Sequence, residues 1–216
     1  MLAHLLDILF PPREDEAALR GVDAGAFLAR LAPALVPATR PPAAALLPFR
    51  DPLVRAALHE AKYHGTERAF ALLAAALADF LPDYLSELGA RRATLVPVPL
   101  GRAREKERGY NQVAEVAKRA LAAAHDPALV LAPELLARVR ETPTQVSLAR
   151  EAREKNMRGA FRAAPEALAR ERAAPADIYI VLDDVLTTGA TLGAAVEALA
   201  AAGIDRGRIL PVALAH

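Results

Sequence analysis

The sequence of 216 residues contains no cysteine and no tryptophan, and aromatic residues make up only 5% of it. Without cysteine the chain has no disulfide, no thiol nucleophile and no thiolate zinc site. No apolar stretch reaches the roughly 18–20 uncharged residues that a membrane-spanning helix needs. An excess of charge of one sign is also missing, because 27 Lys and Arg stand against 26 Asp and Glu. These absences exclude a strong attraction of the whole molecule to nucleic acid or membrane, and they favour a cytoplasmic protein without membrane insertion.

Alanine and proline are abundant instead. Hydrophobic residues make up 54% of the chain, and the large share of alanine among them indicates helix-rich surfaces more than a large apolar core. The first 15 residues predict an amphipathic helix, because Asp7 and the missing basic region argue against a secretory signal. Six prolines between residues 31 and 52 predict an extended linker or wrapping arm. We therefore expect an N-terminal extension, residues 1–52, and one domain, residues 53–216.

Alternating helices and strands are predicted for that domain. Helices are expected where apolar residues recur every three or four positions, and strands where short apolar runs end at turn residues. The predicted helices are residues 53–81 (with a break at 63–65), 111–124 and 190–202. The predicted strands are residues 93–99, 128–136, 178–182 and 208–213, with a long, partly mobile loop at 138–162. This order is typical of a parallel sheet with helical crossovers.

The segment after the strand 178–182 is the clearest candidate for a ligand site. Asp183 and Asp184 follow a buried strand, at the end where open α/β sheets bind ligands. Gly189 permits a positive φ or a close approach of the backbone, and free amides at the start of the next helix favour a phosphate. The acidic residues come first and the phosphate-binding turn follows, and this order predicts a phosphorylated pentose as the ligand. Its ribose is expected at the two aspartates. Its 5′-phosphate is expected at Thr187, Thr188, Gly189, Ala190 and Thr191.

A divalent cation is expected beside the two aspartates. Mg²⁺ is a hard ion that prefers oxygen ligands, and adjacent carboxylates without such a partner repel each other and raise a pKa. Asp183 and Asp184 are therefore the predicted metal ligands and catalytic residues. A valine at position 189 is expected to exclude the phosphate while the strand and the helix survive.

Several further motifs, together with this segment, resemble one family. VLDDVLTTGAT is similar to the phosphoribosyl pyrophosphate motif of type I phosphoribosyltransferases. The other motifs resemble those of the ComF family, competence protein F-like proteins with a phosphoribosyltransferase domain. They are Lys62-Tyr63-His64-Gly65, Val96-Pro97-Val98-Pro99-Leu100, Arg108-Gly109-Tyr110-Asn111-Gln112 and the series Thr142, Gln145, Arg153, Asn156, Gly159 and Phe161.

The resemblance covers residues 53–216 and implies both a fold and an activity. The fold is α/β, a parallel sheet flanked by helices of the type I phosphoribosyltransferase kind. The activity is binding of phosphoribosyl pyrophosphate with Mg²⁺ and transfer of the phosphoribosyl group with loss of pyrophosphate. The sequence departs from the family at its start, where members typically carry a cysteine zinc ribbon. Here residues 11–50 contain no cysteine, so we expect a helical and extended N-terminal segment that lacks the ribbon.

Two basic segments are predicted to contact the pyrophosphate. Residues 91–108 hold six basic groups against two acidic ones, and residues 138–158 hold six against three. The alternative interpretation is a solvated, charged face. The polar insert Thr142-Pro143-Thr144-Gln145 favours a lid over the site, formed by residues 140–158.

Four residues outside the aspartate segment are assigned to the substrate. Arg108 is the first candidate, because a guanidinium pairs with two phosphate oxygens. Lys62 is the second, near the turn at Gly65, with an exposed helix-end lysine as the alternative interpretation. Asn111 and Arg153 are assigned through the resemblance.

Three functions stay open at this level. The first is phosphoribosyl transfer, to an acceptor that the sequence does not identify, in a role related to competence. The second is a non-catalytic sensor or adaptor that detects phosphoribosyl pyrophosphate and signals to a protein partner of the DNA-uptake machinery. The third is a factor that handles single-stranded DNA, which the scarcity of aromatic residues disfavours. The oligomeric state also stays open, with a dimer as one candidate.

The histidines predict no metal site. The intervals between the five histidines are not those typical of metal ligands. His59 and His64 lie five residues apart and are expected to face different ways on one helix.

Overall fold

The computed structural model describes residues 13–141 and 156–216. The helices of this part, α1 to α8, are Glu14–Arg20, Ala24–Leu28, Pro52–Tyr63, Glu67–Glu87, Arg102–Arg108, Gln112–Ala124, Pro165–Ala173 and Ala190–Ala201. The strands, β1 to β8, are Ala34–Val36, Ala43–Leu47, Ala93–Pro97, Leu129–Leu131, Leu136–Arg138, Phe161–Ala163, Ile178–Val185 and Ile209–Ala215.

Six of these strands form one mixed sheet in the order β1-β2-β8-β7-β3-β4. β1 is antiparallel to β2, and the other neighbouring pairs are parallel. β5 and β6 form a separate antiparallel pair. The predicted α/β class, with a mostly parallel sheet flanked by helices, is thereby confirmed.

The central strand β7 is buried on both faces. Ile178, Ile180 and Leu182 join the core that α3, α4 and α6 cover, while Tyr179 and Val181 join the core under α7 and α8. Successive side chains of a strand point to opposite faces, so only a continuously apolar run lines both cores. The same alternation continues into the polar residues at the end of β7.

Local signals in the sequence set the helix ends. Asp51 accepts hydrogen bonds from two amides in the first turn of α3, where Pro52 occupies the first position. Asn111 accepts in the same way at the start of α6. Gly65, with a φ of 62°, separates α3 from α4. The break predicted between these two helices is thus confirmed.

α4 is, within the described residues, the one helix long and apolar enough to cross a bilayer. Ten of its 21 residues are buried inside the protein. A helix that is buried over a wide face needs apolar residues for packing alone. We therefore describe α4 as a core helix.

The segment rich in proline and alanine departs most from its prediction. Residues 31–52 are predicted as a linker or arm, yet they form β1 and β2, and β2 is buried along its whole length. The six prolines all fall outside these strands, so none of them removes a donor inside a strand. The linker expectation is therefore wrong for residues 43–47. The predicted domain boundary after residue 52 stays a prediction. β2, which precedes that boundary, belongs to the same sheet as strands that follow it.

Other departures concern the middle of the chain. The single strand predicted at 128–136 is two strands, β4 and β5, which belong to different sheets on either side of Pro133. Part of the first basic segment is a helix, α5, and α7 has no counterpart in the prediction. Residues 142–155 of the predicted loop and the predicted N-terminal helix up to residue 12 lie outside the described residues.

Candidate functional site

The candidate site lies where the sheet reverses its direction of winding. The chain leaves β3 and returns through α6 to β4 on one side, and it leaves β7 and returns through α8 to β8 on the other. α6 and α8 cover opposite faces of the sheet. A crevice therefore opens outside the carboxyl ends of β3 and β7, which is where open α/β sheets bind ligands.

Asp184, at the end of β7, is held by side chains from two helices. Its Oδ2 lies 3.2 Å from Nζ of Lys62, in the last turn of α3. The same oxygen accepts a 3.0 Å hydrogen bond from Nε2 of Gln112, at the start of α6. Gln112 in turn accepts a 3.1 Å hydrogen bond from Nη1 of Arg108. The structure thus joins Lys62 to Asp184 directly and Arg108 to Asp184 through Gln112. Gln112 belongs to one of the quoted motifs but is absent from the predicted site.

Asp183 points to the other face of the sheet, because neighbouring residues of a strand alternate. Burial, followed by the charge of Asp184, raises the pKa of Asp183 to about 7. The charges of Lys62 and Arg138 act in the opposite direction. Burial also lowers the pKa of the Arg138 guanidinium. The two aspartates therefore repel each other in their charged forms, and a cation would relieve this repulsion.

The turn from β7 into α8 contains one residue with a left-handed backbone, as the sequence predicts. Gly189 directly precedes α8 with a φ of 78°. A hollow bordered by Asp183, Thr187 and Thr191 has a volume of about 20 Å³. That is room for about one water molecule. A phosphate at this turn would therefore rest at the mouth of the hollow, against the first amides of α8.

Gly189 also contacts a distant part of the chain. A Cβ atom at position 189 would lie 2.7 Å from Cβ of Thr39. Thr39 is buried, and its hydroxyl lies within hydrogen-bond distance of the carbonyls of Val36 and Pro41. The survival of the strand and the helix in a Gly189→Val variant stays a prediction, but a valine at position 189 would strain this packing. The reason is tertiary, since the segment before β2 closes over the turn.

Asn111 supports the local structure. Its Oδ1 accepts from two amides in the first turn of α6, and its Nδ2 donates to the carbonyl of Val98 at 2.9 Å. These bonds tie the start of α6 to the residues after β3. The contact of Asn111 with substrate stays a prediction. Arg153 and most of the predicted lid, residues 140–158, lie outside the described residues.

A second, larger hollow of about 470 Å³ opens beside Asp184. Asp183 borders the small hollow at the turn, whereas Asp184 borders this one. Each of the two hollows is thus bordered by one of the two predicted site acids, which follow one another at the end of β7. The polar and aromatic lining of the larger hollow comprises Asp15, Phe49, Arg55, His59, Lys62, Tyr63 and Asp184.

His59 and His64 approach each other, which corrects the expectation that they face different ways. Their ring centroids are 5.7 Å apart in an edge contact. α3 ends at Tyr63, and His64 has a non-helical φ of −124°, which turns its side chain out of the helical series. With Glu60 the two rings place three ligand-type atoms within 4.8 Å of one another. However, both carboxylate oxygens of Glu60 accept hydrogen bonds from Arg13, at 3.0 and 2.8 Å.

Comparison with known proteins adds no relative. No protein-family model matches the chain, and no curated protein matches it. The resemblance to the ComF family therefore rests on the motifs quoted above.

Proposed function

We propose that this protein binds phosphoribosyl pyrophosphate with Mg²⁺ and transfers the phosphoribosyl group to an acceptor. One observation carries the proposal: Asp184 contacts Lys62 and, through Gln112, Arg108, while its neighbour Asp183 borders the turn at Gly189. Carboxylates suit ribose hydroxyls, a helix start suits a phosphate, and cations suit a pyrophosphate. A pentose phosphate with a second anionic group has a partner for each of these features.

The finer fold assignment, a type I phosphoribosyltransferase, belongs to the same proposal. It is supported by the parallel sheet, the reversal of winding between β3 and β7, and the motif at the end of β7. The role in competence and DNA uptake, with a protein partner there, derives from the resemblance alone.

The chain's own residues would act by position and charge. A lone pair of the acceptor forms a bond to the anomeric carbon while the bond from that carbon to the pyrophosphate oxygen breaks. Pyrophosphate leaves with the electron pair of that bond. Lys62 and Arg108 would stabilise the negative charge of the leaving group, and the aspartates would stabilise the positive charge that develops on the ribose.

The two aspartates fit a Mg²⁺ ion by the chemistry of their donors. Carboxylate oxygens are ligands that Mg²⁺ prefers. The raised pKa of Asp183 marks a carboxyl pair whose charged form a divalent cation would stabilise. When bound, Mg²⁺ would shield the charge of the pyrophosphate and orient it.

Calorimetric titration of phosphoribosyl pyrophosphate, with and without Mg²⁺, tests this function. The combined substitution Asp183→Asn and Asp184→Asn should abolish Mg²⁺-dependent binding, because it removes two charges that would face the cation. The ligand at a hundred times its Kd should raise the free energy of unfolding of the unsubstituted protein by about 2.7 kcal/mol, and that of the double variant by nearly nothing. Release of pyrophosphate, measured in parallel, separates a transferase from a non-catalytic sensor.

The matched control is the combined substitution Asp79→Asn and Asp83→Asn, which removes two exposed carboxylates from α4. This control should bind the ligand normally. Asn caps a helix about as well as Asp, so a purely structural role of Asp183 and Asp184 predicts unchanged affinity in both double variants. That result would contradict the proposed site.

A further inference from the structure

The larger hollow beside Asp184 has the dimensions of a site for a second small molecule. Its volume of about 470 Å³ falls within the range of roughly 300–1,000 Å³ that is typical of ligand sites. Asp184 and Lys62, which belong to the proposed phosphoribosyl site, also line it. A molecule in this hollow would therefore lie next to the proposed ribose position.

One face of α3 supplies most of the lining. Arg55, His59, Lys62 and Tyr63 recur at spacings of three and four residues, which place them on the same side of the helix. An α-helix rises about 1.5 Å per residue, so the backbone of Arg55 lies about 10 Å along the axis from that of Lys62. This face of α3 extends along the hollow from Lys62, which pairs with Asp184, to a second cation, Arg55.

Aromatic rings are exposed at this hollow. Phe49 is 39% exposed and Tyr63 is 56% exposed. Within the described residues, five large apolar side chains are exposed. Phe49 and Tyr63 are the two of these five that line the hollow. The ring of His59 lies 4.8 Å from that of Tyr63. Exposed rings grouped around one hollow suit a planar ligand, because aromatic faces stack on planar groups.

Arg55 places an exposed guanidinium at the hollow. Asp15 pairs with His59 at 2.9 Å and Lys62 pairs with Asp184 at 3.2 Å. The guanidinium of Arg55, by contrast, has no hydrogen-bond or ion-pair partner within residues 13–141 and 156–216. A guanidinium binds a carboxylate through two parallel hydrogen bonds. Arg55 thus favours a ligand with a carboxylate.

We propose that this hollow binds the acceptor of the transfer reaction and that the acceptor is a planar aromatic ring bearing a carboxylate. The inference rests on the proposed function. The ring lies against Tyr63 and Phe49, the carboxylate pairs with Arg55, and the nucleophilic atom faces the end of the hollow at Asp184. A neutral ring leaves Arg55 without a partner, and an aliphatic amine leaves the aromatic rings unused.

The test uses pairs of probes that differ by one carboxylate, orotate against uracil and nicotinate against nicotinamide. Calorimetry on the full chain, with and without phosphoribosyl pyrophosphate and Mg²⁺, measures the affinity of each. The carboxylate member of at least one pair should bind about tenfold more tightly than its neutral partner, because of the charge-assisted bonds to Arg55. Equal affinities in both pairs, or no binding by either carboxylate, would overturn the inference.

Variants of the lining residues locate the effect. Arg55→Gln should remove the preference for the carboxylate and leave the affinity for the neutral partner unchanged. The matched control, Arg162→Gln, alters an exposed arginine of β6 outside the hollow and should retain the preference. Tyr63→Leu should weaken both members of a pair by a similar factor while the preference persists. A preference that survives Arg55→Gln places the carboxylate elsewhere and overturns the assignment.

The two proposals fail in different ways. If phosphoribosyl pyrophosphate binds with Mg²⁺ and no carboxylate ring binds, the acceptor class is overturned and the proposed function stands. If a carboxylate ring binds in an Arg55-dependent manner and phosphoribosyl pyrophosphate does not bind, the proposed function fails, and the acceptor role of the hollow fails with it.

Discussion

Neighbouring residues at the end of β7 acquire different environments because a strand directs them to opposite faces. Asp184 is held by Lys62 and Gln112, which position it at the crevice. Asp183 borders the turn at Gly189 and has a pKa raised to about 7, chiefly by burial. Proximity in sequence therefore does not make the two carboxylates equivalent.

Gly189 offers a test at the scale of one residue. Gly189→Ala should lower the melting temperature, because the residue has a φ of 78° and its new Cβ would lie 2.7 Å from that of Thr39. The left-handed backbone alone costs an alanine about 1–2 kcal/mol. Gly89→Ala is the matched control, since Gly89 has a φ of 63° and no atom within 4 Å of the added Cβ. Thermal unfolding should show the larger loss at position 189, and equal losses would mean that Thr39 yields without cost.

At the scale of elements, a charged pair ties α1 to α3. Arg13, which directly precedes α1, donates two hydrogen bonds to the carboxylate of Glu60, whose exposure is 0%. These hydrogen bonds lower the pKa of Glu60, and burial opposes them. A buried carboxylate without its cation is costly, so this contact contributes to the packing of α1 on α3.

Arg13→Ala should lower the free energy of unfolding at neutral pH, because it removes the guanidinium that pairs with the buried carboxylate of Glu60. The folded-state pKa of Glu60 lies below its ordinary value of 4.5. The contribution of the pair is therefore present above that ordinary value and is lost as the pH falls through the folded-state pKa. Urea unfolding across this pH range measures the difference between the variant and the unsubstituted protein.

The control for the Arg13 experiment is Arg170→Ala. Arg170, on α7, pairs with Glu134 at 2.9 Å, and both side chains are more than half exposed. An exposed pair of this kind contributes little, so the control should change stability little. A loss in Arg13→Ala that persisted undiminished in acid would show that packing, and not the charge of Glu60, explains the role of Arg13.

At the scale of the molecule, the sheet incorporates a segment from the N-terminal part of the chain. β2 pairs in parallel with β8, with Ala44 opposite Val212 and Leu47 opposite Ala215. All five residues of β2 are buried. Without this strand, β8 would become an open apolar edge of the sheet.

A chain limited to residues 53–216 should therefore lose cooperative unfolding. It lacks β2 and exposes the backbone donors and acceptors of β8 together with apolar side chains. Circular dichroism during thermal unfolding, compared with the full chain, checks the expectation. A shortened chain that melts as sharply as the full chain would support the division after residue 52 and would mean that β2 is dispensable.

Features set by local interactions followed from the sequence alone. The continuous apolar run of β7 predicted a buried strand, Asn111 marked the start of α6, and Gly65 marked the break after α3. Each of these signals acts within a few residues, through capping, turn conformation or side-chain alternation. For the same reason, the aspartate pair and Gly189 could be placed at the carboxyl end of a strand before the fold was known.

Only the tertiary structure decided how distant segments meet. The alanine-rich run of β2 carries a weak strand signal between prolines and becomes a strand because the edge of β8 accepts it. The contact of Thr39 with Gly189 and the bond from Gln112 to Asp184 join residues 150 and 72 positions apart. No periodicity or spacing reports such contacts, because they depend on the packing of the helices on both faces of the sheet. The sequence by itself thus determined the elements and the chemical groups of the site, and packing decided which of those groups face each other.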